Sequence, residues 1–516
     1  MIGSCEVSHA KGRTRLLALV AALCAGACGA HPELPERPRL VVLYATCSLN
    51  RAYLEPYGAA RPTPAFARFA DEGLVFDRHH TEAGQSGIAF ASLFSGTQAW
   101  RHGAYYHPTL LSDDLTLVTE AFAEDGWETW FWSGQGMGGA KLNYGQGVPP
   151  EHVFRRRKDD HAGLTANDAD FEALLAGLAA DPTRRAYVQV NFTLTHHAYA
   201  KHIPAADLPR VTAEIATELG LSLAELEETL ALYDANRLDL QWDYPRTVAR
   251  LGLEARDEER LAQVLEAFYA HAVAGLDEWF GRFLDRIDAH GLGEESLLAF
   301  TSDHGETLAR PTALFRWGHG LQLAPEVIGV PLVVRGPGIE PGRYGGVTRS
   351  IDVFPTLAGL AGVPLEALEH TWDGTDLSLA VRGERAPPEQ VAFSHTAIIS
   401  PAQMEKQAAF ELRDRYFPDS DPAHMWTAMR VGDVYYVLRK LDTSDWGLQV
   451  FDLAADPGLE HDLFDADDPR HEEATNRLSS YRARLIEGYL RVLQEPGHEL
   501  PLKEQLRRLR ELGYVK

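Results

Sequence analysis

Asp303 and His304 stand side by side, followed by Gly305, where the apolar run that begins at Ser296 ends. A carboxylate and an imidazole at the exit of a buried strand can hold a metal ion or move a proton. α/β enzymes place such chemistry at the carboxyl ends of their strands. The same two side chains can also simply satisfy one another inside a core, so the pair gains meaning only from what surrounds it. Phe300-Thr-Ser-Asp-His-Gly-Glu-Thr-Leu308 is followed by Trp317-Gly-His-Gly320 and then by the apolar Val330-Pro-Leu-Val-Val334.

A pair so placed needs a sheet to carry it. Near-continuous apolar runs at Leu40 to Tyr44, Thr129 to Trp132, Tyr187 to Phe192, Leu297 to Phe300 and Pro331 to Val334 predict strands buried on both faces. That is the pattern of a parallel sheet covered by helices. Leu261, Val264, Leu265, Phe268, Ala272, Leu276, Phe280, Phe283, Leu284 and Ile287 form one apolar stripe at helical spacing, which predicts a helix of several turns. Val434 to Leu438 and Leu448 to Leu453, either side of the polar turn Asp442 to Asp445, predict an antiparallel hairpin in a smaller C-terminal unit. The stretch from Ile203 to Arg260 is acidic and helical, and reads either as a lid or substrate-specific insertion or as a plain surface excursion. Repeats and low-complexity tracts are absent from the sequence.

With 516 residues, 45% hydrophobic and 24% charged, the chain can bury a large core, as one α/β unit or two domains. A net charge of −25 argues against nucleic acid or an anionic membrane surface as the main partner. It also makes an anionic substrate depend on local positive charge, which a metal can supply. The one basic cluster, Arg155 to Lys158, reads as a solvated loop, with an anion-binding role as the alternative. At the N-terminus, Lys11-Gly-Arg-Thr-Arg15, the short apolar Leu16 to Leu23, and Ala25-Gly-Ala-Cys28 have the form of an export signal. The expected signal spans residues 1–28, and Cys28 could carry a lipid, because small residues before a cysteine resemble a bacterial lipoprotein cleavage site, although Ala25 stands where such signals usually have Leu; a cleaved soluble product is the alternative. The expected location is the periplasm or cell envelope. Cys5 and Cys24 would leave with the signal, so Cys47 would be the only internal thiol and no intramolecular disulfide framework is expected.

The segments around Asp303, together with Leu40 to Tyr44, Leu49 to Gly58, Thr63 to Gly73, Gly126 to Thr129, Tyr269 to Asp277, Ser350 to Pro364, Val450 to Leu463 and Leu512 to Val515, resemble the sulfatases of the alkaline phosphatase superfamily in order and spacing. The resemblance implies an α/β fold with a mostly parallel sheet sandwiched by helices and a small C-terminal α+β subdomain. Its expected boundaries are 38–365 for the catalytic domain, with 203–260 inserted, and 366–516 for the subdomain.

Carried over position by position, the resemblance departs from the sulfatases at the active site. The acid that ends the family's first strand is replaced by Cys47, with Ser48 beside it. The nucleophile position falls on Ser86, but Ile88 stands where formylglycine conversion needs Pro or Ala, and Phe90 where it needs Arg. Ser86 to Ser95 resembles instead the nucleophile segment of phosphoethanolamine transferases, which keep an unmodified, zinc-bound threonine. By that likeness Cys47, Ser86, Asp303 and His304 hold one divalent metal. Thiolate and imidazole favour zinc over calcium. His196 matches a family histidine whose partner is replaced by Asn191, and His319 matches one that contacts the leaving group or a second metal. Ser133 stands where sulfatases often have Lys, and His197 reads as solvated. The expected activity is hydrolysis of a phosphate, phosphonate or sulfate ester, drawn from a small molecule, glycan or lipid, with Ser86 as nucleophile and His319 or His196 as acid. The alternative is a catalytically impaired relative that serves as an exported binding protein.

Overall fold

A strand covered on both faces has no polar side to alternate. β1 (Leu40–Thr46) is accordingly buried at every residue. The computed structural model describes residues 37–155, 168–242, 244–308, 317–367, 371–398, 422–440 and 446–494, with Lys503 and Arg507. After β1 come β2 (Leu74–His80), β3 (Glu128–Ser133), β4 (Val153–Arg155), β5 (Ala186–Phe192), β6 (Ser296–Ser302), β7 (Leu332–Arg335) and β8 (Gly342–Arg349). They form one sheet in the order β4-β3-β5-β1-β6-β7-β2-β8. β1 lies at its centre and pairs in parallel with β5 and β6.

One expected strand differs in direction. Pro331 to Val334 does not join the sheet in parallel: β7 runs antiparallel to both β6 and β2. The connection from β6 contains only a one-turn helix, Pro325–Ile328, among its described residues. Without a crossover, β7 starts at the edge where β6 ended and must run back. β2 and β8 have no apolar run to announce them. Asp77, Arg78, His79 and His80 interrupt β2, and three glycines dilute β8.

The predicted helical stripe lies on the helix Ala255–Ala289, and all ten of its apolar positions are buried. Its Phe280 packs against Tyr44 of β1, Phe300 of β6, and Phe66 and Phe69 of the helix Pro64–Asp71. Asp277 of the long helix accepts from Phe66 N at 2.9 Å and Ala65 N at 3.2 Å, which caps the shorter helix from outside. The segment Ile203 to Arg260 forms the helices Leu208–Leu219, Leu223–Trp242 and Tyr244–Leu251 before joining the long one.

A second, antiparallel sheet has the order β12-β11-β10-β9, built from β9 (Val391–His395), β10 (Thr427–Val431), β11 (Val434–Lys440) and β12 (Trp446–Asp452). The expected hairpin is β11 with β12, and Leu478 of the helix Pro469–Val492 closes one face of this sheet. The turn Asp442 to Asp445, the export signal with Cys28, Arg156 to Lys158 and Leu512 to Val515 lie outside the described residues. No described helix is long and apolar enough to cross a membrane.

Candidate active site

Parallel pairing brings the ends of β1, β5 and β6 to one edge. Cys47 follows β1, and Asp303 and His304 follow β6, all fully buried or within 1% of it. Ser48 takes a left-handed conformation, φ 62. It is held there by Tyr269 of the long helix, whose hydroxyl donates to Ser48 O at 2.8 Å and accepts from Asn50 N at 2.8 Å. The turn aims Ser48 N at Asp303 Oδ1, 3.2 Å away. Thr195, beyond β5, ties Cys47 O at 2.6 Å. Gly305 lies against the chain near Pro325–Ile328, where an added Cβ would collide with the Glu326 carbonyl oxygen, so only glycine fits after His304.

Ser86 opens the helix Ser86–Ser95 beyond the end of β2, and its side chain enters the same group. Its Oγ lies 3.4 Å from Cys47 Sγ and 3.2 Å from His304 Nε2. One ligand atom from each of Cys47, Asp303 and His304 falls within 4.8 Å of the others. His304 Nδ1 faces Gly305 O at 2.8 Å; a carbonyl only accepts, so Nδ1 carries the proton and Nε2 presents a lone pair. Asp303 Oδ1 accepts from His304 N at 2.6 Å, whereas Asp303 Oδ2 is buried and accepts no hydrogen bond.

His196, His197 and His319 form a second group with the same spacing limit, 4.8 Å between ligand atoms. His304 joins the two groups, with its ring centroid 4.2 Å from that of His319. The reading of His197 as solvated is corrected here: it is 4% exposed, with its ring 4.1 Å from His196. Sequence pattern could not show this, because the turn after β5 places both imidazoles inward. His196 Nδ1 donates to His197 O at 2.7 Å, and His319 Nδ1 lies 3.2 Å from Glu306 Oε1. Asn191 instead bolts the loop after β3, accepting from Gly134 N at 3.0 Å. Ser133 ends β3 at that loop, with its hydroxyl close to Gly139.

Sequence reading missed three residues here. Glu306, buried two positions after His304, holds His319. Gln135 donates to Cys47 Sγ at 3.6 Å, and its place just past β3 was the available signal. His107 is close enough that charge on His319 or His304 would lower its pKa further.

Burial dominates the electrostatics. It holds His304 and His319 at about 4 and His107 at about 3, and it pushes Glu306 up to about 8. Burial also sets His196 and His197 well below the ordinary imidazole value, with neighbouring imidazoles adding to the effect. The Cys47 thiol is raised well above its usual value by burial and then by the Asp303 charge. The imidazoles are therefore neutral at pH 7 and offer lone pairs to an electrophile.

This constellation lies wholly within residues 39–363, which match the family model for sulfatases. The chain belongs to the sulfatase family. A choline-sulfatase of Rhizobium meliloti is 27% identical over 326 residues, which is 63% of this chain and 54% of that protein. A mouse steryl-sulfatase is 30% identical over 43% of this chain and 38% of its own length. The chain thus spans about half or less of these curated relatives. Among solved structures, a phosphonate monoester hydrolase of Agrobacterium radiobacter aligns with TM-score 0.59 and 20% identity, covering 87% of this chain and 96% of that one. BT4656, solved with its substrate D-glucosamine-2-N,6-O-disulfate, aligns with TM-score 0.62 and 15% identity over 88% and 99%. Identities this low show a shared fold.

Proposed function

We propose that this sulfatase-family chain is a metal-dependent hydrolase of anionic esters, with Ser86 as nucleophile and a divalent cation held by Cys47, Asp303, His304 and the Ser86 oxygen. The supporting observation is Asp303 Oδ2, a buried carboxylate oxygen without a hydrogen bond, 3.5 Å from the lone pair of His304 Nε2. Burying such a group unsatisfied is costly, and a cation among these donors removes the cost. Sulfur, imidazole nitrogen and carboxylate oxygen together suit zinc better than calcium. Such a cation, when bound, supplies positive charge that lowers the proton affinity of the Ser86 hydroxyl and offsets charge on the transferred group.

The chain's own groups carry the rest. Ser86 Oγ stands at the first turn of its helix, where backbone dipoles favour developing negative charge. Its attack forms a bond to phosphorus or sulfur while the bond to the leaving oxygen breaks. His196 takes up the proton that Ser86 gives up, or His319 relays one from the Glu306 carboxyl, which burial keeps protonated at pH 7 and which lies 3.2 Å from its Nδ1, and that imidazole delivers a proton to the leaving oxygen. Water then releases the group from Ser86. Phosphate or phosphonate esters are favoured over sulfate esters, because Ile88 and Phe90 replace the residues that formylglycine formation requires. The substrate class is an anionic ester of a small molecule, glycan or lipid fragment; a sugar of this kind is named as the substrate of BT4656. His196, His197 and His319 are the place for a second cation, which two equivalents of bound zinc would reveal. Export to the periplasm or cell envelope, with lipid on Cys28, belongs to the same proposal and is tested by the mass of the mature N-terminus.

Chelated and zinc-reloaded protein, assayed on matched aryl phosphate, phosphonate and sulfate esters, tests the central claim. Zinc-dependent phosphate or phosphonate release, lost in Ser86→Ala, is the expected result, with an unmodified Ser86 by mass spectrometry. Calcium-supported sulfate release with an aldehyde at position 86 would return ordinary sulfatase chemistry. A second reading rests on Phe90, fully buried where the family has Arg, and on Cys47 where it has an acid. A metal-free protein inactive on all three esters would favour that reading, a binding protein.

A further inference from the structure

His319 is carried by a loop with a costly backbone. Trp317, two residues before it, is fully buried at φ 53, a left-handed conformation that is strained for a bulky residue. Such a conformation persists only where the surroundings hold it. Gly318 O accepts from Thr307 Oγ1 at 2.7 Å and Gln322 Nε2 at 2.9 Å, both within the same connection between β6 and β7. Trp317 is held from elsewhere. Gln241 Nε2 donates to Trp317 O at 2.5 Å, and Tyr233 and Tyr244 meet the indole at steep angles, with centroids 6.0 Å and 5.5 Å away.

All three partners come from the 203–260 segment. Gln241 and Tyr233 lie on Leu223–Trp242, and Tyr244 opens the next helix. Their exposures of 7%, 1% and 7% exclude a loose surface excursion at this point. We propose that the segment works as a clamp on the His319 loop, with Gln241 as a positioning residue acting through the Trp317 carbonyl. The physical basis is the peptide between Trp317 and Gly318. Its buried carbonyl would lose its Gln241 partner if the amide donor were removed, and the peptide could then turn about Trp317 ψ and Gly318 φ to bring that carbonyl to another donor. Gly318 has no side chain to resist that rotation, and the rotation displaces His319. The inference rests on His319 serving the leaving oxygen as proposed above.

Gln241→Met keeps the length of the side chain and removes the donor, and Gln241→Glu serves as a second variant should the first fail to fold. In zinc-loaded protein, the aryl ester that the parent turns over fastest should show kcat lowered roughly 10- to 100-fold with KM changed less than about threefold, since a small misplacement costs mainly the chemical step. Introduced into His319→Ala, the same change should cost almost nothing further. Hydrogen–deuterium exchange should rise in the peptide spanning Trp317 to Leu323 and stay constant in β6. The exchange arm needs no turnover, so it decides the clamp even if the parent hydrolyses none of the esters. Unchanged exchange at Trp317 to Leu323, or an undiminished kcat loss in the His319→Ala background, would overturn the proposal.

Discussion

Replacing Tyr269 by phenylalanine removes one oxygen atom from the protein and two hydrogen bonds from the turn that presents Cys47. The ring remains, with its edge-on contacts to Tyr53 at 4.9 Å and Tyr199 at 5.0 Å, so the core loses little packing. What changes is polar. Asn50 N–H and Ser48 C=O, each 2.8 Å from the hydroxyl, lose a partner in a region where Ser48 is fully buried and Asn50 is 7% exposed. An orphaned buried backbone group costs about 1–3 kcal/mol, which puts the pair at about 2–6 kcal/mol. Burial keeps the Tyr269 hydroxyl protonated far above neutrality, so the parent bond to Ser48 O holds across the working pH range. The assay is urea unfolding of parent and Tyr269→Phe after metal removal, because bound metal would add its own stabilisation to the folded state. A midpoint shift worth under about 1 kcal/mol would refute the reasoning. Metal binding should weaken in parallel, since Ser48 N is a donor to Asp303 Oδ1 at 3.2 Å.

Cys47→Asp restores the oxygen donor that sulfatases carry there, and calorimetric titration should show the zinc-to-calcium affinity ratio falling roughly tenfold or more; an unchanged ratio would show that the thiol does not touch the cation. Stability should fall as pH drops below about 6.5, because burial lowers His79 and His102 to about 3 and His395 to about 4 while their unfolded counterparts titrate near 6.5. The unfolded chain binds those protons first, and each group contributes up to about 1.4 kcal/mol per pH unit. Glu82 and Glu306 oppose this trend by one proton each, since burial raises both to about 8 and their contribution is lost as pH rises through that value, while burial lowers His107 to about 3 and so adds to the trend. Urea midpoints that stay flat or rise between pH 6.5 and 5 would contradict this excess of buried neutral histidines over buried protonated carboxyls.

Much of the fold was legible because local pattern records burial. The runs that became β1, β3, β5 and β6 are apolar since both of their faces are covered, and the stripe from Leu261 to Ile287 repeats at helical spacing since one side of that helix meets the sheet. β2 escaped because two charged residues and two histidines occupy its second half. Arg78 there pairs with Asp433 at 2.6 Å, a partner 355 residues away that no window of sequence contains.

Residue type and spacing alone pick out the side chains able to meet a metal or a phosphoryl group: Asp303 and His304 at a strand end, and, by resemblance, Cys47, Ser86, His196 and His319. Side-chain type and short spacing are local properties, and they survive without a structure. It takes the folded chain to bring Cys47, Ser86 and His304 into contact, to turn His197 inward, to set Glu306 and Gln135 behind the site, and to bond Gln241 to the loop of His319. Each of those facts is a contact across tens to hundreds of residues. Such contacts depend on sheet order and on where each turn aims its side chains, and those are settled by packing and hydrogen bonding of the whole chain.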